Sequence, residues 1–315
     1  EDLAAYKAQW VEPITTNYRG YDVWEIPPNG HGIVVLMALN ILEGMDLSAG
    51  HDDPETAHKI MEALKLAFTD GKRYVADPRA MKPTVEQLLS RDYAAKRRAL
   101  IGSTALEPKP GTPYCGDTVY LNAADGDGNM ISYIQSIYCG FGSGTVLPGT
   151  GIVFHNRGNN FTMDETMENC VAPGKKPYHT IIPGFLSKDG KAVGPFGVMG
   201  GFMQPQGHVQ VLTNMIDFHM NPQEALDAPR WMWTGEKKIS LERLYNSEMA
   251  DKLTRTGHGI AIDDIWRNDF GVAVFFRMLV EHEIVHSAFQ TGAGADIVIE
   301  TGTGNLCGPF RIEKA

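Results

Sequence analysis

An α+β fold is predicted, with helices gathered in the first third of the chain and strands with covering helices after them. Three observations carry this. Residues 32–43 are apolar nearly all round, which predicts a buried helix, with Gly44 as its C-terminal stop. Asp53-Pro54-Glu55 reads as an N-cap followed by proline at the first helical position, and Ala57, Ile60, Met61, Leu64, Ala67 and Phe68 then recur at i, i+3, i+4, i+7 spacing. After a Pro/Gly-rich connector over 107–116 the texture turns β-type.

The remaining elements follow in order. Pro78 and Pro83 mark a break, and 85–100 reads as one more helix. Residues 118–124 and 130–138 are β-type runs separated by the turn Asp125-Gly126-Asp127-Gly128-Asn129, so they predict a hairpin. Residues 152–154, 181–186 and 192–198 are further strand candidates. Residues 205–218 are helical, with Val209, Leu212, Met215 and Ile216 on one face, and Asn221-Pro222-Gln223-Glu224 caps a short helix that Pro229 stops.

Composition narrows the function. The chain has 315 residues, 43% hydrophobic and 21% charged, with a net charge of −10. That is enough apolar mass for a large core in one or two domains and too much for a disordered chain. An acidic balance argues against a nucleic-acid or anionic-membrane partner. The longest apolar stretch, 33–42, is interrupted by Asn40 and is far shorter than a membrane span. Cys115, Cys139, Cys170 and Cys307 form no CxxC pair, so reduced thiols and a cytoplasmic setting are expected. A periplasmic or secreted setting stays open, because the chain opens without an initiator Met or a leader pattern.

The chemistry centres on Gly116-Asp117-Thr118-Val119-Tyr120, where a threonine enters a strand directly after the connector. Alone, such a threonine is ordinary strand material. Downstream come Gly140-Phe141-Gly142-Ser143-Gly144, Pro148-Gly149-Thr150-Gly151-Ile152, Met199-Gly200-Gly201, Gln210-Val211-Leu212 and the 221–230 segment ending Ala228-Pro229-Arg230. This ordered series resembles the γ-glutamyltranspeptidase family of N-terminal-nucleophile hydrolases, over residues 1 to about 271. Tyr18-Arg19-Gly20-Tyr21 and Pro27-Pro28 are similar to the later part of that family's large subunit.

The resemblance implies an αββα sandwich and a precursor that cleaves itself at Asp117–Thr118. It assigns 1–117 to the C-terminal part of a mainly helical large-subunit region and 118–315 to the small-subunit region. The first portion is shorter than the family's large subunit, so a further N-terminal portion is an expected partner. By the same likeness Thr118 is the nucleophile, its freed α-amine the base, Ser136 its hydroxyl support, and Gly200 and Gly201 the oxyanion donors. Ser136 also reads as a plain strand serine, and Gly200-Gly201 as a tight turn.

At the substrate positions the chain departs from the γ-glutamyl pattern. Tyr138 stands for an Asn, Arg157 for a Gln, Asn160 for an amine-binding Asp, and His179-Thr180 for a Ser pair. Losing the Asp removes an ammonium partner, and gaining an Arg adds a fork suited to carboxylate. The pattern, including Gln204-Pro205-Gln206-Gly207-His208, is similar to that of a branch of the family that hydrolyses oxamate, so the expected substrate is a small carboxylate-bearing amide. Arg157 as a structural ion-pair residue, γ-glutamyl transfer or glutathione hydrolysis, and a silent uncleaved relative remain alternatives. No cofactor or metal is expected, and homo-oligomerisation is left open.

Three signals compete. His282-Glu283-Ile284-Val285-His286 matches a zinc-peptidase pattern if helical, although Ile284 and Val285 also suit a strand. Asp125 to Asn129 imitates the start of a calcium loop but carries Met130 at the sixth position and Ser136 at the twelfth. Gly302-Thr303-Gly304 lacks the third glycine and following helix of a nucleotide loop. Residues 272–315 do not resemble the family's usual C-terminus.

Overall fold

The computed structural model describes residues 5–108 and 117–262, and the backbone of four further strands. The chain opens with a hairpin, β1 (Ile14–Tyr18) and β2 (Tyr21–Glu25), turned by Arg19 and Gly20, both at positive φ. Then come α1 (Gly32–Leu42), α2 (Pro54–Tyr74), α3 (Val85–Leu88) and α4 (Arg91–Arg98). β3 (Asp117–Ala124) and β4 (Met130–Tyr138) form the predicted hairpin, its turn held by Asp125, whose carboxylate accepts from the Asp127 and Asn129 backbone N–H groups.

β5 (Gly184–Lys188), β6 (Lys191–Val198), α5 (Met203–Ile216) and α6 (Pro222–Asp227) follow. β7 (Trp231–Gly235), β8 (Lys238–Leu241), α7 (Ser247–Arg255) and β9 (Gly259–Ile262) make a smaller unit. The last strands are β10 (Ala273–Met278), β11 (Val285–Phe289), β12 (Ile297–Thr301) and β13 (Glu313–Lys314).

The main sheet runs β1-β2-β5-β6-β10-β11-β12-β13, antiparallel throughout. Helix α1 is buried along its whole length, and its Ile33, Leu36 and Leu39 join Phe68 of α2 and Val209 and Leu212 of α5 in one core over this sheet. The β3–β4 hairpin lies by β6 as a second sheet: the Tyr120 ring fills the space beside Gly197, and Ser132 Oγ donates to the Gly184 carbonyl. Its outward face is apolar and open, with Val119, Leu121, Ile131 and Tyr133 each 41–57% exposed. Helices, sheet and second sheet are thus layers of the expected α+β sandwich.

Local chemistry explains most boundaries. Asp53 caps α2 by accepting from the Thr56 N–H at 2.7 Å, with Pro54 at the first helical position. Asn221 and Glu224 make a reciprocal capping box on α6. Within α5, Gln206 and Gln210 act as a substitute strand edge. Each accepts from the backbone N–H of Trp233 or Trp231 and donates to the carbonyl of the same residue. Both amides are thereby satisfied while buried, which fastens β7 to α5.

Several expectations need correction. Residues 85–100 are two helices, because Ser90 caps a new one through the Tyr93 N–H. Gly44 does not adopt a left-handed stop; it is small because the Arg98 guanidinium occupies the place of a side chain. Residues 152–154 form an isolated bridge, Val146 with Val153, and β5 starts at Gly184. The opening hairpin stands in a region whose sequence reads as helical, and β7, β8, β9 and α7 have no counterpart among the predicted elements. His286 lies in β11, opposite Arg277 and Glu300, so the helical face required by the zinc pattern is not formed there. His282, Glu283, the Gly302 segment, Cys115 and Cys307 lie outside the described residues.

Candidate active site

Thr118 is half-buried in β3, opposite an irregularity in β4. Asp117 pairs with Tyr138 and Val119 with Gln135, so two residues, Ser136 and Ile137, face Thr118 alone. A bulge of this kind re-aims side chains and loosens the ladder locally. Just past it Tyr138 takes φ 85°, an unusual value for a bulky residue, and its N–H donates to Ser136 Oγ at 2.8 Å. The sequence-predicted nucleophile and its hydroxyl support therefore sit at one strand defect.

The oxyanion candidates lie where β6 turns into α5. Gly200 and Gly201 have φ 118° and 58°, which a side chain would strain. Their carbonyls accept from the Met203 and Gln204 N–H groups and start α5. Among the described residues their own N–H groups donate to nothing, which is what an anion at this turn requires. Tyr120, two residues after Thr118, packs on Gly197, three residues before Gly200, so hairpin and turn are adjacent.

The predicted substrate residues also converge. Arg157 starts a short 3-10 turn (Arg157–Asn160) and is 1% exposed. Its Nη1 donates to Thr180 Oγ1 at 2.6 Å, and its guanidinium lies 5.0 Å from the Tyr138 ring centroid. Nε and Nη2 have no partner among the described residues, and no carboxylate there pairs with the cation. Burial lowers the Arg157 pKa to about 10, which leaves it charged at neutral pH. His179, between Tyr178 and Thr180, is pushed down to about 3, by burial first and then by Arg157, so it is neutral. Asn160 is less available: its Nδ2 donates to the Tyr178 carbonyl at 3.0 Å. It braces the segment that carries His179 and Thr180.

Sequence reasoning missed several residues. Phe202, directly after Gly201, stacks on Tyr178 at 5.7 Å, joining the glycine turn to the segment that carries His179 and Thr180. His31 is fully buried, its Nε2 donating to the Thr180 carbonyl, while its N–H and the Asn29 carbonyl pair with the His179 backbone. Lys72 lies over the rings of Phe68, Phe202 and Trp233, and burial lowers it to about 8. An aromatic at the helix start and a His between two glycines are the only signals, and neither specifies a partner.

One cluster could hold a metal among the described residues: His58, Glu62 and His258, whose ligand atoms lie within 4.8 Å of one another. Its polar groups are already engaged. Lys65 Nζ lies 2.6 Å from Glu62, and His58 Nδ1 lies 2.8 Å from His258 Nε2. The buried ammonium neutralises the carboxylate, so a dication would have to displace it. The cluster reads as a polar tie between α2 and the turn after α7.

The family model described as gamma-glutamyltranspeptidase matches residues 1–278. The chain belongs to that family. A glutathione hydrolase-like YwrD proenzyme from Bacillus subtilis is 35% identical over 305 residues, 95% of this chain and 58% of the relative. An oxamate amidohydrolase proenzyme from Klebsiella pneumoniae is 34% identical over 266 residues, 83% of this chain and 50% of the relative. A crystal structure described as cephalosporin acylase from Bacillus halodurans is 50% identical with a TM-score of 0.88, covering 96% of this chain and 55% of that one. The chain spans about half the length of the curated relatives it matches. The family match stops at residue 278, in line with the departure expected of 272–315, while the likeness to YwrD covers 95% of the chain and reaches past that point. No described helix is long and apolar enough to cross a membrane.

Proposed function

We propose that this family member is an amidohydrolase that cleaves itself between Asp117 and Thr118 and then hydrolyses a small carboxylate-bearing amide of the oxamate type. The observation that carries the reading is Arg157: a buried, charged guanidinium whose Nε and Nη2 are unspent among the described residues. Burying such a group is costly unless an anion meets it, and the fork matches a carboxylate. Beside it the chain carries Asn160 where the family resemblance implies an Asp for the substrate ammonium.

In the first step Thr118 Oγ attacks the Asp117 carbonyl carbon. The Asp117–Thr118 C–N bond breaks, the nitrogen takes a proton to become the Thr118 α-amine, and water hydrolyses the resulting ester to free the Asp117 carboxylate. In the second, the α-amine takes the hydroxyl proton as Oγ attacks the substrate amide carbon. The oxyanion forms toward the Gly200 and Gly201 N–H groups. Ammonia leaves with the proton, and water resolves the acyl-enzyme.

A second reading, γ-glutamyl transfer or glutathione hydrolysis, is supported by relatives with that name. The experiment separates them. Active protein on a denaturing gel should show pieces of 117 and 198 residues if these 315 residues are expressed alone. Thr118→Ala should abolish both cleavage and activity, while Thr118→Ser keeps some of each. Ammonia release from oxamate, with none from glutamine or glutathione, supports the first reading. Transfer to an acceptor dipeptide supports the second. An intact protein that hydrolyses amides overturns both.

A further inference from the structure

We infer that the buried Glu25–His208 pair is a positioning device for the oxyanion turn, holding the end of β6 so that Gly200 and Gly201 present their N–H groups. His208 lies in α5 and Val198 ends β6, so the two flank the glycine turn. Val198 N–H donates to His208 Nε2 at 3.2 Å. That bond needs the tautomer with its proton on Nδ1, and Nδ1 lies 2.8 Å from Glu25 Oε1, both side chains being wholly buried. A neutral imidazole has one donor and one acceptor nitrogen, so the carboxylate fixes which one faces Val198.

The rest of the surroundings is built around this pair. A side chain at Gly207 would strike Val198, so glycine lets α5 approach β6 closely enough for the bond. A side chain at Gly32 would strike Glu25, which places the carboxylate against the first residue of α1. That end of a helix favours negative charge, and α1 has no acidic residue in its first turn. Glu25 also ends β2, and the segment it leads into carries His31, which braces His179 and Thr180. One dyad thus ties the glycine turn to the loop that braces Thr180, the partner of Arg157.

The inference rests on the proposed reading for its kinetic test, and a second readout is independent of it. His208→Gln keeps an acceptor near the Nε2 position; His208→Asn keeps a donor near Nδ1 but removes the acceptor for Val198. Expected for H208N is a fall in kcat of about 10²-fold with KM within about twofold. H208Q should recover most of that loss. Glu25→Gln, which allows the wrong tautomer, should fall between them. Hydrogen exchange at the Val198 amide should quicken in H208N and stay slow in H208Q, whether or not the protein hydrolyses any amide. Unchanged Val198 exchange in H208N overturns the positioning role, as does parallel loss of kcat in both variants. Failure of the wild type to cleave or hydrolyse overturns the functional reading alone and leaves the exchange result to decide this one.

Discussion

Replacing Arg157 by Met tests the substrate reading most directly, because it removes the fork and keeps the volume. The two uncommitted N–H groups, Nε and Nη2, are the ones a substrate carboxylate would engage. Hydrogen bonds to charged groups contribute about 1.5–3 kcal/mol each. Losing two predicts about 3–6 kcal/mol, or about 10²- to 10⁴-fold in kcat/KM. The assay compares ammonia release from oxamate with that from oxamide, its neutral counterpart. R157M should lose oxamate hydrolysis by that factor and keep oxamide hydrolysis within about threefold. Its thermal midpoint should hold or rise, since an unpaired buried cation is replaced by an apolar chain. Equal loss on both amides would mean that Arg157 serves the structure. Unchanged hydrolysis of oxamate would remove the carboxylate reading altogether.

Gly200→Ala should lower kcat by about 10²-fold or more while KM moves little, because φ 118° is barely open to a side chain; steady-state kinetics on the cleaved enzyme check this. His179 and His258 are both held near pKa 3 by burial, against 6.5 when unfolded. Between those values the unfolded chain binds protons that the folded one refuses, so stability falls as pH drops from about 6.5 towards 3, by up to about 1.4 kcal/mol per pH unit for each group. Thermal melts from pH 7 to pH 4 should show this slope, and His258→Gln should flatten it. Asp53→Ala removes the cap of α2 and should cost about 1 kcal/mol in a denaturant titration, with the activity of the folded protein unchanged.

Much of the fold is legible in the sequence. The cap at Asp53, the apolar run that forms α1, the turn at Asp125 and the capping box at Asn221 are local signals, and local chemistry decides each of them. The split of 85–100 at Ser90 is a local cap that a single-helix reading of that stretch misses, but other differences are set by neighbours distant in sequence. Gly44 is small because Arg98 lies against it, and the opening strands exist because β2 finds β5, some 160 residues away. The site divides in the same way. Thr118, Gly200, Gly201 and Arg157 are picked out only by the family resemblance, position by position; as residue types alone they are ordinary. The strand defect opposite Thr118, the Phe202–Tyr178 stack and the Glu25–His208 pair depend on which strand meets which. No spacing in the sequence encodes that.

The sharing of one sheet also bears on what self-cleavage can do. The proposed cut falls between 1–117 and 118–315, yet β2 from the first part pairs with β5 from the second along four residues. Helix α1 of the first part and α5 of the second lie in one core. Tyr18 donates to Asp217 and Arg19 pairs with it across the same divide. Neither part keeps its buried apolar surface covered alone, so hydrolysis of the Asp117–Thr118 bond frees an amine without freeing a subunit. On that proposal the cut changes the chemistry at Thr118 while the Arg157 surroundings stay tied together: His31 comes from the first part, Arg157 and Thr180 from the second, and the bond from His31 to the Thr180 carbonyl spans both.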